Sequence, residues 1–158
     1  MMVPSSQTLN LGCGSRPIAG ARNHDRTSHS PWVDVTWDLN GLPWPWDDGQ
    51  WDTVLAYDVM EHLHLEVDQW LDECWRILCH GGKLELRLPA FDNHLSYRDP
   101  THRRVFHPES FFYWDPNHHL WEDFGRYYWD SQRWWDVTYV GRESDDLRFD
   151  LHKQQVSS

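Results

Sequence analysis

Short apolar runs separated by turn residues recur along the first half of the chain, a pattern typical of strands in a sheet. Thr8 to Leu11 runs directly into a Gly-Cys-Gly turn. Trp51 to Tyr57 contains a continuously apolar segment, as expected of a strand covered on both faces. Ala21 to Asp25 and Trp32 to Leu39 are weaker strand candidates. The sequence therefore predicts four strands before residue 58.

One segment, Glu66 to Leu78, has the hydrophobic period of a helix. Its apolar side chains are spaced by three and four residues, which places them on one helical face. Gly81-Gly82 is expected to stop this helix. Lys83 to Leu88 alternates leucines with charged residues, so it predicts a further strand that Pro89 ends.

The remainder of the chain is irregular up to residue 132 and then alternates again. Because proline suits a first helical turn, a short helix is predicted from Pro108 to Trp114. Trp135 to Val140 and Leu147 to His152 predict two closing strands. The whole pattern predicts an α/β fold, a doubly wound and mostly parallel Rossmann-like sheet with an antiparallel C-terminal edge, which binds its ligand at the carboxyl ends of the strands.

Length and charge limit the possible functions. The 158 residues suffice for one domain, and they contain no apolar run long enough for a membrane span and no signal-peptide pattern in Met1 to Gln7. We therefore expect a cytoplasmic protein without a membrane partner. The formal charge of −11 disfavours nucleic acid as a partner, although Arg103 and Arg104 are adjacent.

Cysteines and tryptophans add two further expectations. The three cysteines have no zinc or redox spacing, so reduced thiols are expected. The 12 tryptophans could fill the core, or they could line an aromatic acceptor pocket or an oligomer interface. A homodimer is consistent with the second alternative.

Glycines and acids follow successive predicted strands. Gly12 and Gly14 allow close backbone approach to a ligand directly after the first strand. Asp25, at the end of the second strand, can accept both hydroxyl protons of a ribose. Asp38, after the third strand, can accept a proton from an adenine amino group while Leu39 supplies apolar cover. Each acid could instead be a solvated loop residue, and a nicotinamide site is disfavoured because the turn lacks its third glycine.

Five motifs in order resemble the type 11 branch of class I S-adenosylmethionine-dependent methyltransferases. They lie within about residues 8 to 89: Leu9-Asn10-Leu11-Gly12-Cys13-Gly14, Asp38-Leu39-Asn40, Trp51-Asp52, Glu61-His62-Leu63, and Arg76-Ile77-Leu78 with Gly81-Gly82. The resemblance implies one domain over 1–158, with 8–89 as the cofactor-binding half and 90–158 supplying the acceptor side and the closing strands. The turn departs from the family pattern at Ser15 to Gly20, which is too short for the usual first helix.

The resemblance also implies a cofactor, S-adenosyl-L-methionine, and its product S-adenosyl-L-homocysteine. In this family the glycine turn lies under the methionine part, the acid after strand 2 holds the ribose, and the acid and hydrophobe after strand 3 hold adenine. The segment after strand 4 passes close to the sulfonium. Carried over, the cofactor-binding residues are Gly12, Gly14, Asp25, Asp38, Leu39, Tyr57 and Asp58, with Asn10 and Cys13 as further candidates for the methionine part.

The acceptor is expected to be a small molecule, with a non-catalytic S-adenosylmethionine-binding module as the alternative. A general base is needed only if the acceptor loses a proton, and His102 is the first choice, ahead of His62. A metal site built from Asp92, His94, Asp99 and His102 matches no common zinc spacing, so no metal is expected.

Overall fold

The computed structural model describes residues 6–129 and 132–154, and within them one sheet of seven strands runs through the molecule. The strands are β1 (Thr8–Leu11), β2 (Arg22–Asp25), β3 (Val35–Thr36), β4 (Trp51–Tyr57), β5 (Leu78–Pro89), β6 (Trp135–Glu143) and β7 (Asp146–Lys153). Their order in the sheet is β3-β2-β1-β4-β5-β7-β6. The first five are mutually parallel, β7 pairs antiparallel with β5, and β6 pairs antiparallel with β7. The predicted fold class is confirmed.

The strand order changes direction between β1 and β4. The chain builds outwards from β1 to β3, then returns to add β4 on the other side of β1. A parallel sheet opens a crevice beyond its carboxyl ends at such a switch point. The loops after β1, β2, β3 and β4 therefore converge on one edge of the sheet.

The predicted long helix is confirmed as α1 (Val67–Ile77). It starts in a capping box in which Glu66 and Gln69 satisfy each other's backbone amides. Its buried side chains, including Trp70 and Leu71, pack into the core cluster formed with the sheet. The other α-helices are one turn or less: α2 (Leu95–Arg98) and α3 (Arg126–Tyr128).

The connection from β1 to β2, residues 12–21, contains no helix and is held by buried amides instead. The side-chain nitrogen of Asn10 donates to Oδ1 of Asn23 at 2.9 Å. The same oxygen accepts the backbone amide of Ile18 at 2.9 Å, and the Asn23 nitrogen donates to the Ile18 carbonyl at 3.2 Å. Buried amides of this kind fix a loop because their loss leaves backbone groups unpaired. The short turn noted in the sequence is thus built without a first helix.

Gly81-Gly82 does not stop the helix, contrary to the sequence prediction. α1 ends at Ile77 because Leu78 is already extended and pairs with Trp51 as the first residue of β5. The register then shifts between Trp51 and Thr53, which pairs with Lys83. The two glycines belong to this irregular start of β5.

Two other elements are shorter than predicted. β3 pairs with β2 only through Val35 and Thr36, so the alternation over residues 32–39 extends beyond the paired positions. The predicted helix over 108–114 is a turn followed by a 3₁₀ helix at Phe112–Trp114, since its backbone amides bond three residues back, as from Ser110 to His107.

Several tryptophans fill the core, as one of the two sequence alternatives proposed. Trp70 and Trp135 are fully buried, and Trp114 stacks on Trp129 with ring centroids 4.0 Å apart. None of the helices among the described residues has the length and apolar character needed to cross a bilayer.

Candidate functional site

The turn after β1 depends on glycine at two positions. Gly12 and Gly14 have φ angles of +58° and +51°, in the left-handed region that side chains disfavour. A Cβ on Gly12 would lie 2.5 Å from Cγ2 of Val59, whereas one on Gly14 would meet no atom within 4 Å. Gly12 therefore lets the turn approach the segment after β4 closely.

His24 in β2 joins this turn to the end of β3. Its Nδ1 accepts the backbone amide of Gly12 at 3.2 Å, and its Nε2 lies 2.8 Å from the carbonyl oxygen of Trp37. Because Nδ1 accepts, Nε2 carries the proton and donates it to that carbonyl. The ring is buried, and burial lowers the pKa of His24. Sequence reasoning missed this residue, whose one signal was a polar side chain inside a short buried strand.

Asp25 turns its carboxylate towards the glycine turn. Oδ2 accepts the amide of Gly14 at 2.7 Å and lies 3.4 Å from Nε2 of His29, while Oδ1 accepts the amide of Arg26 at 2.6 Å. Burial favours the neutral acid, but these hydrogen bonds outweigh it and hold the pKa of Asp25 below its usual value. The carboxylate is thus ionised and fixed at the end of β2, with lone pairs left for a ligand.

Asp38 and Leu39 follow β3 on the other side of the same crevice. Oδ1 of the exposed Asp38 accepts the amide of Asn40 at 3.0 Å, which fixes a local turn. Leu39 is buried, and its carbonyl accepts the indole N–H of Trp44 at 2.9 Å. The pair therefore offers one anchored carboxylate beside one apolar side chain.

These loops enclose a cavity of about 550 Å³ at the carboxyl ends of β1 to β4. Six of the predicted site residues line it: Gly12, Asp25, Asp38, Leu39, Asp58 and His62. The other lining residues are His24, Arg26, Trp37, Asn40, Val59, Leu63, His64, Pro100, Thr101 and Arg103. The structure thus brings the glycine turn and the acids after β2, β3 and β4 together, as the order of motifs in the sequence suggested.

Four predicted cofactor-binding residues do not line this cavity. Asn10 is buried in the loop network described above, and Cys13 is buried with its thiol 3.8 Å from the Gly14 carbonyl. Gly14 instead donates its backbone amide to the carboxylate of Asp25. The hydroxyl of Tyr57 donates to Glu85 at 2.5 Å, and burial with this contact raises the pKa of Tyr57 to about 12. Their predicted roles remain predictions.

Asp58, directly after β4, adopts a strained backbone conformation with φ of +58°. Its Oδ2 accepts hydrogen bonds from Arg87 Nη2 at 2.6 Å and Nε at 3.2 Å. The ion pair fixes the carboxylate at the rim of the cavity. Strain of this kind is found at sites where the surrounding structure imposes a geometry on one residue.

Beyond Asp58 the chain forms a 3₁₀ turn, Met60–His62, that carries two titratable groups. Glu61 is buried, and burial raises the pKa of its carboxyl group to about 8. The His62 and His102 rings lie in an edge-on arrangement with centroids 4.7 Å apart. Burial and the neighbouring His102 lower the pKa of His62. The two candidate bases, 40 residues apart in sequence, therefore lie side by side.

His62 also borders a second cavity of about 350 Å³. Both cavities share two wall residues, Asp58 and His62. His102 lines only the second one. The remaining lining residues of this second cavity are Glu61, Pro89, Leu95, Arg98, Asp99 and Asp146.

The histidine-rich segment is otherwise dispersed. Asp92 forms a two-pronged ion pair with Arg142, at 2.6 and 2.9 Å, and does not join His102. His118 stacks on Phe112 with ring centroids 4.3 Å apart. Of the four ligands considered for a metal, only Asp99 and His102 meet, at 3.6 Å. Among the described residues, these four side chains do not form a group of neighbouring ligands.

Comparison with known proteins agrees with this geometry. Residues 17–86 match the family model of the methyltransferase domain, type 11. No curated protein matches the sequence of the chain.

Solved structures with the same fold are numerous. YcgJ from Bacillus subtilis superposes with a TM-score of 0.57 at 15% identity, covering 96% of this chain and 93% of its own. A methyltransferase from Thermotoga maritima, described as a possible histamine N-methyltransferase, gives 0.62 at 14% identity, covering 97% and 84%. The 16S rRNA N2 G1207 methyltransferase of T. thermophilus, solved with AdoMet and guanosine, gives 0.53 at 15% identity, covering 98% and 37%.

The family match over residues 17–86, which is less than half of the chain, and the fold shared with solved S-adenosylmethionine-dependent methyltransferases together support a class I methyltransferase of type 11. Both findings also support S-adenosylmethionine as the cofactor, in agreement with the resemblance found in the sequence.

Proposed function

We propose that the chain transfers the methyl group of S-adenosylmethionine to a small-molecule acceptor by in-line displacement. The observation that carries this proposal is the pair of adjoining cavities, one at the switch point of the sheet and one of about 350 Å³ beside it. A small cavity next to the cofactor site suits a small acceptor better than a macromolecule. The net charge of −11 also disfavours an RNA acceptor such as that of the T. thermophilus enzyme.

The larger cavity has groups suited to each part of the cofactor. Asp25 is ionised and can accept from ribose hydroxyls, while Asp38 and Leu39 can hold the adenine. Gly12 lines this cavity without a side chain, which allows the amino acid end to approach the backbone closely. These contacts would leave the sulfonium near Asp58 and His62, where the two cavities meet.

Catalysis then depends mainly on position. The methyl group on a sulfonium is already activated, so holding the acceptor in line and excluding water supply much of the rate. His62 Nδ1 lies 2.8 Å from the Thr101 hydroxyl, which itself donates to Asp99 at 2.7 Å. His62 therefore donates from Nδ1 and keeps a lone pair on Nε2. His62 and His102 are the groups we assign to acceptor deprotonation, with His62 nearer the cofactor cavity.

The experiment that tests this function measures S-adenosylhomocysteine formed from S-adenosylmethionine with a panel of small hydroxyl, amine, thiol and carbon acceptors. We expect turnover with at least one of them, and a loss of about 10²-fold or more in kcat for His62→Ala if the acceptor loses a proton. His107→Ala, at an exposed histidine outside both cavities, is the matched control. Cofactor binding without turnover across the panel, also with cell extract as a source of acceptors, would favour the non-catalytic module instead.

A further inference from the structure

We propose that Glu61, His62 and His102 bind a divalent transition-metal ion at the wall between the two cavities. One nitrogen or oxygen from each of these side chains lies within 4.8 Å of the others. No other group of this kind is present among residues 6–129 and 132–154.

The carboxylate of Glu61 supplies the first argument. The residue is 1% exposed, and neither of its oxygens has a hydrogen-bond partner among the described residues. A buried carboxyl group without partners is costly, and such groups in native proteins are usually paired or bound to a metal. Glu61 is held in place by its backbone, whose carbonyl accepts the amide of Arg103 at 2.6 Å. Its side chain is therefore positioned for a partner that the chain itself does not provide.

The orientation of His62 supplies the second argument. Because its Nδ1 donates to Thr101, its free lone pair is on Nε2, which lies 3.8 Å from Oε1 of Glu61. This separation is too long for a direct hydrogen bond. It leaves room for an ion between two electron-pair donors.

His102 completes the set. Its Nδ1 is buried without a partner, and its Nε2 lies 3.6 Å from Oδ2 of Asp99. Asp99 thus lies behind His62 through Thr101, whereas its 3.6 Å separation from His102 is too long for a direct hydrogen bond. Carboxylates placed behind histidines in this way orient the rings of metal sites and raise their basicity.

The chemistry of the ligands selects the class of ion. Two imidazole nitrogens and one carboxylate oxygen suit Zn²⁺ or a neighbouring first-row ion, whereas Mg²⁺ and Ca²⁺ prefer oxygen ligands. Ligand bonds of about 2.0–2.2 Å require the three groups to close from their present spacing by side-chain rotation. Asp58 and Asp146 line the same cavity, but Arg87 pairs with both and Arg98 also lies there, so the ligands themselves rather than the surrounding charge carry the proposal.

Three protein ligands leave at least one open position, and the second cavity borders it. If the proposed function holds, this position takes an oxygen of the acceptor. The metal would lower the pKa of a coordinated hydroxyl group, and both imidazoles would then act on the acceptor through the ion rather than as bases themselves.

The test is calorimetric titration of the full, chelator-treated and dialysed protein with ZnCl₂, without cofactor or acceptor. We expect one equivalent to bind at micromolar concentration or below, and MgCl₂ to give no binding at the same concentrations. Glu61→Gln and His102→Ala should each weaken Zn²⁺ binding by at least about tenfold. His94→Ala, at an exposed histidine outside the cluster, should leave it unchanged.

Cobalt(II) absorption gives a second readout of the same variants, since four-coordinate Co²⁺ absorbs visible light far more strongly than octahedral Co²⁺ with water ligands at a surface site. Circular dichroism checks that each variant is folded. Absence of stoichiometric binding, or binding unaffected by both Glu61→Gln and His102→Ala, would overturn the metal site. Because the titration needs no methyl transfer, its result tests the metal site independently of the proposed function.

Discussion

The imidazole of His24 connects Gly12 to Trp37, accepting the amide of the former at 3.2 Å and donating to the carbonyl of the latter at 2.8 Å. The glycine turn and the start of the loop that carries Asp38 are therefore held by one buried ring. This arrangement requires the neutral tautomer, because Nδ1 must accept. The position of two loops that line the cavity thus depends on the protonation of His24.

Lowering the pH should reduce the free energy of unfolding, because the buried His24 ring must stay neutral. Burial lowers the pKa of His24 in the folded state below the ordinary value of 6.5. As the pH falls below 6.5, the unfolded state therefore binds a proton that the folded state does not, and the stabilising contribution of neutral His24 is lost. Urea unfolding should show the wild type losing about 1 kcal/mol more between pH 7.5 and 5.5 than His24→Gln. His80→Gln, at an exposed histidine, should retain the wild-type difference. Equal losses in wild type and His24→Gln would contradict the neutral bridge.

Gly12 and Gly14 provide a matched pair of substitutions. Both have positive φ, so alanine costs backbone strain at either position, but only at Gly12 does the new methyl group meet Val59. Gly12→Ala should therefore lower the free energy of unfolding by about 1–2 kcal/mol more than Gly14→Ala. Adding Val59→Ala should recover most of this excess for Gly12→Ala and none for Gly14→Ala. A double-mutant cycle without coupling between positions 12 and 59 would count against the contact.

Asp25 should be required for affinity more than for folding. Asp25→Asn keeps one acceptor oxygen but loses the charge and the second oxygen that a ribose would need. Calorimetry with S-adenosylhomocysteine should show affinity reduced by at least about tenfold. The control is Asp136→Asn, an exposed acid on β6 at the opposite edge of the sheet. If the affinity of Asp25→Asn were unchanged, the proposal that Asp25 binds the ribose would be contradicted.

A partly buried ion pair supports the Asp38–Leu39 side of the cavity from behind, through Trp44. Arg76 pairs with Glu73 at 2.8 Å and donates to the carbonyls of Trp44 and Trp46, while Glu73 accepts the amide of Trp44 at 2.7 Å. Breaking such a pair leaves the carboxylate without its partner, so Arg76→Gln should destabilise the fold by about 2 kcal/mol in thermal or urea unfolding.

Arg126→Gln serves as the comparison for Arg76→Gln. It removes an exposed pair with Glu122, which solvent screens, and should therefore lower the free energy of unfolding much less than Arg76→Gln does. If both substitutions had similar small effects, Arg76 would not hold the Trp44 segment.

The sequence located elements with a repeated pattern better than those fixed by tertiary contacts. α1 was predicted to within one residue at each end because its apolar face recurs over three turns. Gly81-Gly82 was misread, since glycine after a helix can end it or enter an irregular strand. The length of β3 was overestimated, because the alternation of apolar and polar residues continues beyond the two positions that pair with β2.

The same distinction applies to the site. Gly12 follows the first predicted strand, and Asp25 and Asp38 stand at the ends of the second and third, so parallel topology alone brings them to one edge. The approach of Glu61 and His62 to His102 depends on how the loop after β5 folds back, which no local pattern encodes. His24 was missed because its role lies in two backbone contacts that appear only after β1, β2 and β3 are adjacent.

A crystal structure of the protein with S-adenosylhomocysteine tests the central claim most directly. We predict the ribose hydroxyls on Asp25, the adenine between Asp38 and Leu39, and the sulfur facing Asp58 and His62 at the junction of the two cavities. A nucleoside bound outside this crevice, or Asp25 and Asp38 without contact to it, would contradict the account.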